Sequence, residues 1–136
     1  MKTIFKKGLM VTVSLSILNV WLLRFGQASG FRGGSATDML SEFAAYGLDA
    51  TVMYGVGTIK VLAAITLLLG IRYSKLVFPA LCTITVFMMA AIYFHFAIHD
   101  AWIKSLPAAF LLSASIVLLV WHRKELSALS STTHTV

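Results

Sequence analysis

The chain has 136 residues, of which 59% are hydrophobic and only 12% are charged, with a net charge of +6. Soluble domains carry about 25% charged residues, so the composition predicts one integral membrane domain in a lipid bilayer. The cations flank apolar runs instead of clustering with aromatic residues on a solvated face, which argues against nucleic acid as a partner. The single cysteine, Cys82, excludes an intramolecular disulfide and a CxxC redox motif.

Four apolar runs predict an all-α bundle of four transmembrane helices, at about residues 8–25, 51–71, 76–99 and 106–121. The first run resembles a signal peptide, with a small-x-small pattern at 26–28. Because it is longer than the usual apolar region of about 7–15 residues, a retained helix is favoured over a cleaved one. We expect a single domain over residues 1–125 and a disordered Ser/Thr-rich tail over 126–136.

The polar segment between the first two spans contains a short predicted helix from Ala36 to Tyr46. Ser35 offers an N-cap, and Asp38 follows three residues on, which is a variant of the capping box. Apolar residues recur at helical spacing, and Gly47 is a plausible helix stop. We therefore expect an extracytoplasmic amphipathic helix that lies at the membrane surface or folds back onto the bundle.

The distribution of cations predicts the orientation of the bundle. Four spans put both termini on one side, and that side carries more Lys and Arg than the other. The positive-inside rule then predicts cytoplasmic N- and C-termini. The cations on the terminal side are Lys2, Lys6, Lys7, Arg72, Lys75, Arg123 and Lys124.

Lys60 is the most informative residue, because it is a cation within the apolar second span. Such a residue costs about 2.5–3.5 kcal/mol on insertion scales and usually faces a partner inside the bundle. The predicted amphipathic helix could fold in and present Glu42 to it. One interpretation is a polar pocket at the outer mouth, with Arg24 and Tyr46 also in its wall. The other is an ion pair that only fixes helix packing.

A second polar group ends the third span. His95 and His99 are spaced i,i+4, a spacing that can hold a metal, although two histidines and Asp100 supply at most a partial site. We therefore expect no metal, and instead a histidine hydrogen-bonded to an acid. Asp100 and Lys104 have ion-pair spacing if the helix continues. Arg32 lies among glycines that could cradle an anion, but they lack a phosphate-loop context and are interpreted as turn residues.

Several of these residues form an ordered pattern that resembles the DoxX-like family of small bacterial membrane proteins, from about Asn19 to Pro107. The resemblance implies a four-span bundle in a bacterial inner membrane and an uncleaved first span, because the pattern crosses the supposed cleavage site. The family name comes from a subunit of a thiosulfate:quinone oxidoreductase, which suggests a redox setting without supplying a catalytic residue set. The pattern comprises Arg24-Phe25-Gly26-Gln27, Phe31-Arg32-Gly33-Gly34, Glu42-Phe43-Ala44-Ala45-Tyr46-Gly47-Leu48, Tyr54-x-x-Gly57-x-x-Lys60, His95, Asp100 and Lys104-Ser105-Leu106-Pro107-Ala108.

The leading functional hypothesis is an accessory component of a membrane redox system that binds a quinone or another lipid-soluble molecule. Its partner would be a membrane redox subunit or a second copy of the chain. In this hypothesis Lys60 and Arg24 hydrogen-bond the ligand, and Glu42 with His95 relays a proton. The alternatives are a quinone-linked oxidoreductase, for which no cofactor motif is present, and a structural protein whose polar cluster only holds the bundle together. The pocket candidates are Arg24, Arg32, Glu42, Tyr46, Lys60, His95, Asp100 and Lys104.

Overall fold

The computed structural model describes residues 1–134, and in that range it is helical without a strand. Four of its helices are long and apolar enough to cross a membrane, which confirms the predicted all-α, four-span fold. The α-helices are α1 (Lys2–Leu18), α2 (Met39–Ala45), α3 (Ala50–Leu69), α4 (Val77–Ala97) and α5 (Leu106–Thr133). A π-helical turn, Asn19–Leu23, extends α1, and 3-10 turns at Ser74–Leu76 and Trp102–Ser105 precede α4 and α5.

The core lies where α1, α3, α4 and α5 face one another. On α1 the buried residues Met10, Val13 and Ile17 follow helical spacing and form one stripe. Leu67 and Leu118 are fully buried against them from α3 and α5. Large apolar side chains also cover the outer surface of the bundle, as a bilayer environment requires.

Gly57 in α3 lets the first span approach this helix closely. A methyl group added at Gly57 would lie 2.5 Å from the Trp21 ring, so the ring occupies the space that any larger residue would fill. Gly55, on the same helix, has nothing within 4 Å of that position. Small residues at TM helix contacts commonly allow this approach. Gly57 therefore determines where Trp21 lies.

The beginning of α1 and the C-terminal part of α5 lie at one end of the bundle, and the segment between the first two spans lies at the other. At the terminal end Lys6 forms an ion pair with Glu125. At the opposite end the Gly34 N–H donates to the Asp100 carboxylate at 3.0 Å. This agrees with the predicted arrangement, in which four spans bring the first and last helix ends to the same side. The cytoplasmic orientation of that side stays a prediction from the charges.

Helix α2 begins later than predicted. Its N-cap is Asp38, not Ser35: the Ser41 N–H donates to the Asp38 carboxylate at 2.7 Å, and the Asp38 N–H donates to the Ser41 hydroxyl at 3.2 Å. This reciprocal capping box satisfies two otherwise unpaired N–H groups. Hydrogen bonds from Ser41 also hold the pKa of Asp38 below its ordinary value. At the other end, Gly47 has a positive φ of 78° and stops the helix as predicted.

The prediction of disorder for residues 126–136 is wrong for residues 126–133, which continue helix α5. Extending an existing helix avoids the unfavourable nucleation step that an isolated polar tail faces. The hydroxyl groups also donate back to carbonyls of the preceding turn, as Thr133 does to Leu129 at 2.9 Å. Thr135 and Val136 lie outside the described residues.

Candidate functional site

Arg32 lies inside the loop that follows the first span, with a relative exposure of only 6%. Its Nε donates to the Gln27 carbonyl at 2.7 Å, and Nη2 donates to the carbonyls of Arg24 at 2.6 Å and Phe25 at 3.2 Å. Its Nη1 donates to the Glu42 carboxylate at 2.8 Å. The guanidinium plane supplies donors in several directions at once, which suits this set of acceptors. Arg32 therefore holds the loop closed and ties it to α2.

Glu42 is paired with Arg32, so the predicted ion pair between Glu42 and Lys60 is wrong. Its second carboxylate oxygen, Oε1, accepts from the Gly33 N–H at 2.9 Å and from the Tyr46 hydroxyl at 3.0 Å. Glu42 pairs with Arg32 and not with Lys60 because the loop that carries Arg32 packs against α2. Glu42 is thus a carboxylate with an internal counter-charge and two further donors.

Tyr46 connects Glu42 to helix α4. Its hydroxyl oxygen lies 3.3 Å from Nε2 of His95 as well as 3.0 Å from Glu42. The ring rests directly on Gly33, where an added Cβ would be 2.5 Å from the hydroxyl oxygen. Burial, reinforced by the nearby Glu42 charge, raises the pKa of Tyr46, so the phenol keeps its proton. That single proton has two acceptors within reach.

His95 and Asp100 meet at the end of α4. The helix stops at Ala97, and His99 adopts a left-handed conformation with φ of 58°. The Asp100 N–H donates to the His95 carbonyl and the His99 N–H to the Phe96 carbonyl, both at 3.0 Å. These two bonds define a Schellman motif. The motif turns the chain back, so that the Asp100 carboxylate lies 2.8 Å from Nδ1 of His95.

Asp100 also joins the two outer loops. It accepts the Gly34 N–H at 3.0 Å and lies 3.6 Å from the Lys104 ammonium, which in turn donates to the Gly34 carbonyl. Burial by itself would raise the pKa of Asp100, but hydrogen bonds from His95 and Gly34 and the charge of Lys104 outweigh it and hold the pKa below the ordinary value. Asp100 therefore acts as a carboxylate that fixes the His95 ring.

Lys60 contacts aromatic rings instead of a carboxylate. Its ammonium lies 5.4 Å from the ring centroid of Trp21 and 5.7 Å from that of Phe87. No ion pair of Lys60 is present among residues 1–134. Cation–π contacts of this kind are worth about 0.5–2 kcal/mol, which offsets only part of the cost of a cation at this depth. Lys60 is therefore a half-buried cation that still has hydrogen-bonding capacity.

The Lys60 ammonium faces a cavity of about 330 Å³, which we call the inner cavity. Most of its wall is apolar, and aromatic rings form a large share of it, with Phe43 packed edge-on to Trp21 at 5.9 Å. The lining residues are Val20, Trp21, Met39, Glu42, Phe43, Tyr46, Leu48, Val52, Val56, Lys60, Phe87, Ala90, Ala91, Phe94 and His95. The volume falls within the range of about 300–1,000 Å³ typical of ligand pockets.

A second cavity, of about 350 Å³, lies on the other side of Glu42 and His95 and is called the outer cavity. Glu42 and His95 border both cavities, so they form part of the wall between them. Arg24 and Lys104 line only the outer one. The remaining lining residues are Val20, Gln27, Ser29, Phe31, Arg32, Pro107 and Ala108.

The structure thus brings six of the eight predicted pocket residues into one connected polar cluster: Arg32, Glu42, Tyr46, His95, Asp100 and Lys104. Lys60 and Arg24 border separate cavities on either side of it. The weak metal alternative also depended on His95 and His99 sharing a helix face, but His99 lies beyond the end of α4. Residues 1–134 contain no group of three or more His, Cys, Asp or Glu side chains placed to hold a metal ion.

Sequence reasoning missed the roles of Trp21 and Phe87 beside Lys60. Trp21 lies in the π-helical turn, where the Arg24 N–H donates to the Asn19 carbonyl. Such turns are frequent at functional sites, but the local sequence carries no marker for one. The glycine three residues before Lys60 is the signal that could have pointed to a ring at this position.

The comparison with protein families supplies the identification. The model of the DoxX-like family matches residues 17–119, most of the chain. The chain belongs to the DoxX-like family.

All residues of the polar cluster and both cavities of this DoxX-like protein fall within the matched range, as does the π-helical turn. The terminal parts of α1 and α5 fall outside it. Comparison with curated proteins and with solved structures found no match.

Proposed function

We propose that this DoxX-like protein binds a lipid-soluble ligand with a polar head, a quinone, in the inner cavity and serves as an accessory component of a membrane redox system in a bacterial inner membrane. The observation that carries the proposal is the Lys60 ammonium, which borders a mostly apolar cavity, contacts the rings of Trp21 and Phe87, and has no ion pair among residues 1–134. A half-buried cation with spare donors is stabilised by a ligand that supplies an acceptor oxygen.

The chemistry of the wall favours a flat, uncharged ring with carbonyl groups. Trp21, Phe43, Phe87 and Phe94 offer aromatic surface for such a ring. The ammonium of Lys60 can donate to one carbonyl oxygen while keeping its contacts with Trp21. A polar head of this kind on an apolar tail also matches a pocket that is mostly apolar with few converging polar groups.

The polar cluster supports a role in proton exchange with the bound ligand. When His95 is neutral and its Nδ1–H donates to the Asp100 carboxylate, its Nε2 accepts a hydrogen bond from the Tyr46 hydroxyl. When His95 is charged, its Nε2–H donates to the Tyr46 oxygen, and the Tyr46 hydroxyl donates to Glu42 instead. The Tyr46 hydroxyl therefore changes partner with the protonation of His95. Reduction of a quinone to a quinol consumes protons along with electrons. The electrons would come from a partner redox protein, and the protons would pass through His95.

A structural role is the second candidate, and the Arg32–Glu42 pair favours it. Glu42 has its counter-charge and hydrogen bonds already provided by Arg32, Gly33 and Tyr46. A fully satisfied buried pair needs no ligand. This candidate explains Glu42 and Arg32 but leaves Lys60 without a role.

Native mass spectrometry in nanodiscs tests the proposal, with a short-chain ubiquinone analogue as the added probe. Lys60→Met keeps a side chain of similar length but removes the ammonium group and its hydrogen-bond donors. Lys75→Met, at an exposed turn outside the inner cavity, is the matched control. A hydrogen bond from a charged group is worth about 1.5–3 kcal/mol, so Lys60→Met should weaken binding by roughly tenfold to a hundredfold.

Stoichiometric binding to the wild type and to Lys75→Met, lost in Lys60→Met, supports the quinone site. A folded wild type that binds no quinone, or a Lys60→Met variant that binds it equally well, would overturn the proposal. If the wild type binds no quinone, the structural candidate becomes the conclusion.

A further inference from the structure

A third cavity lies at the opposite end of the bundle from the polar cluster, between the ends of α1 and α5 and the turn that joins α3 to α4. It measures about 170 Å³ and is called the terminal cavity. Its lining residues are Thr3, Lys6, Lys7, Met10, Gly70, Ile71, Ser74, Val77, His122, Glu125, Leu126 and Leu129. Nothing in the proposed quinone site involves these residues.

The terminal cavity contains a buried histidine with an unused ring nitrogen. His122 has a relative exposure of 3%, and its Nδ1 has no hydrogen-bond partner among residues 1–134. A buried polar atom without a partner costs about 1–3 kcal/mol. A ligand oxygen in the cavity would provide that partner.

Lysines border the same cavity. Lys6 is buried, with a relative exposure of 9%, and is paired with Glu125. Lys7 is exposed and lines the cavity without an ion pair among the described residues. The hydroxyl group of Ser74 offers a further donor from the α3–α4 turn. The cavity thus combines a free cation, a hydroxyl group and an unpartnered histidine.

The charge of this end of the molecule favours an anion. Seven Lys and Arg side chains lie in the terminal segments and the α3–α4 turn, against the single acid Glu125. The opposite end has three cations against four acids. Basic pockets between transmembrane helices at such an end bind anionic lipid head groups.

We infer that the terminal cavity binds the phosphodiester group of an anionic phospholipid, held by Lys7, His122 and Ser74. Its volume equals that of about five or six liquid waters, which admits a phosphate group but not a protein element. Exposed apolar side chains at its rim, including Leu126 and Leu129, offer a surface for the acyl chains. The established family and the quinone proposal are independent of this site.

Native mass spectrometry of the full chain in detergent, with phosphatidylglycerol or phosphatidylcholine of the same acyl chains added, tests the inference. Lys7→Gln removes the free cation, and Lys124→Gln removes an equal charge from the same end outside the cavity. A basic residue near anionic lipid contributes about 1 kcal/mol, so Lys7→Gln should lower phosphatidylglycerol retention on the order of fivefold. Lys124→Gln should leave it nearly unchanged. Glu125→Gln should raise retention, because it frees the Lys6 ammonium.

Equal losses in Lys7→Gln and Lys124→Gln would overturn the inference in favour of general attraction by the charged end. Equal retention of the two lipids would also overturn it. The last experiment adds millimolar inorganic phosphate as a competitor. If phosphate binds to the protein and displaces phosphatidylglycerol, the site binds a free anion instead of a lipid, and the inference is overturned. His122→Leu provides a second variant, which should lose phosphatidylglycerol selectively while phosphatidylcholine retention stays the same.

Discussion

Nδ1 of His95 lies 2.8 Å from the Asp100 carboxylate because His99, between them in sequence, adopts a left-handed backbone conformation. In a Schellman motif the residue after the left-handed position often makes an apolar contact back to the helix. Here that contact is a hydrogen bond between an acid and an imidazole. The end of α4 therefore orients the histidine that faces both cavities.

His99→Gly should stabilise the protein by about 0.5–1 kcal/mol, because glycine adopts a positive φ without the steric cost that other residues incur. His99→Val should destabilise it by at least about 1 kcal/mol, because a β-branched residue fits this conformation poorly. Thermal unfolding in detergent measures both changes. Ala97→Gly, at the last residue of α4, is the control and should lose up to about 1 kcal/mol. Stabilisation by valine at His99 would contradict the motif.

Asp100→Asn should destabilise the protein near neutral pH by about 1–3 kcal/mol, since it removes the charge that His95 and Lys104 contact. The pKa of Asp100 is lower in the folded state than the ordinary value of 3.8. The contribution of its charge is therefore complete above that ordinary value and is lost as the pH falls through the folded pKa. Denaturant unfolding of wild type and variant at pH 7 and in acid measures the difference.

The stability difference between wild type and Asp100→Asn should shrink on acidification, and a difference that grows instead would refute the role of the carboxylate. Asp49→Asn is the control, since Asp49 caps α3 by accepting from the Val52 N–H at 2.9 Å. Asparagine caps helices about as well as aspartate, so this change should have little effect at neutral pH.

Gly57→Ala should destabilise the bundle by about 1–3 kcal/mol, because its methyl group would overlap the Trp21 ring. Gly55→Ala, on the same helix, meets nothing within 4 Å and should be neutral or stabilising by up to about 1 kcal/mol. Thermal unfolding gives the stability, and tryptophan fluorescence reports the displacement of Trp21. If the two variants have the same stability and the same tryptophan fluorescence, Gly57 does not determine the position of the Trp21 ring.

Arg32→Lys should cost about 1–3 kcal/mol even though it keeps the charge, because an ammonium cannot reach the carbonyls and the Glu42 carboxylate together. Arg24→Lys is the matched control, since the Arg24 side chain is exposed, and should change stability by less than about 0.5 kcal/mol. Denaturant unfolding in detergent compares them. If Arg32→Lys is as mild as the control, the guanidinium geometry is unimportant.

Sequence patterns alone predict the number of spans, the helical class and the position of Lys60 within the second span. Hydropathy and helical spacing are properties of neighbouring residues, so they can be followed along the chain without knowing its contacts. The stop at Gly47 is local in the same way, since it depends on one residue's backbone preference. The family pattern around Glu42 and Lys60 could be identified for the same reason.

Which charged groups meet depends on how the helices and loops fold together. Glu42 is close to Arg32 because the loop after the first span folds onto α2. Lys60 therefore has no carboxylate partner and contacts the rings of Trp21 and Phe87. Likewise, His95 meets Asp100 through a turn set by a left-handed His99, a conformation that residue type alone does not predict. Ion pairs and aromatic contacts depend on distances of a few ångströms between segments far apart in sequence. Those distances arise from how the helices pack.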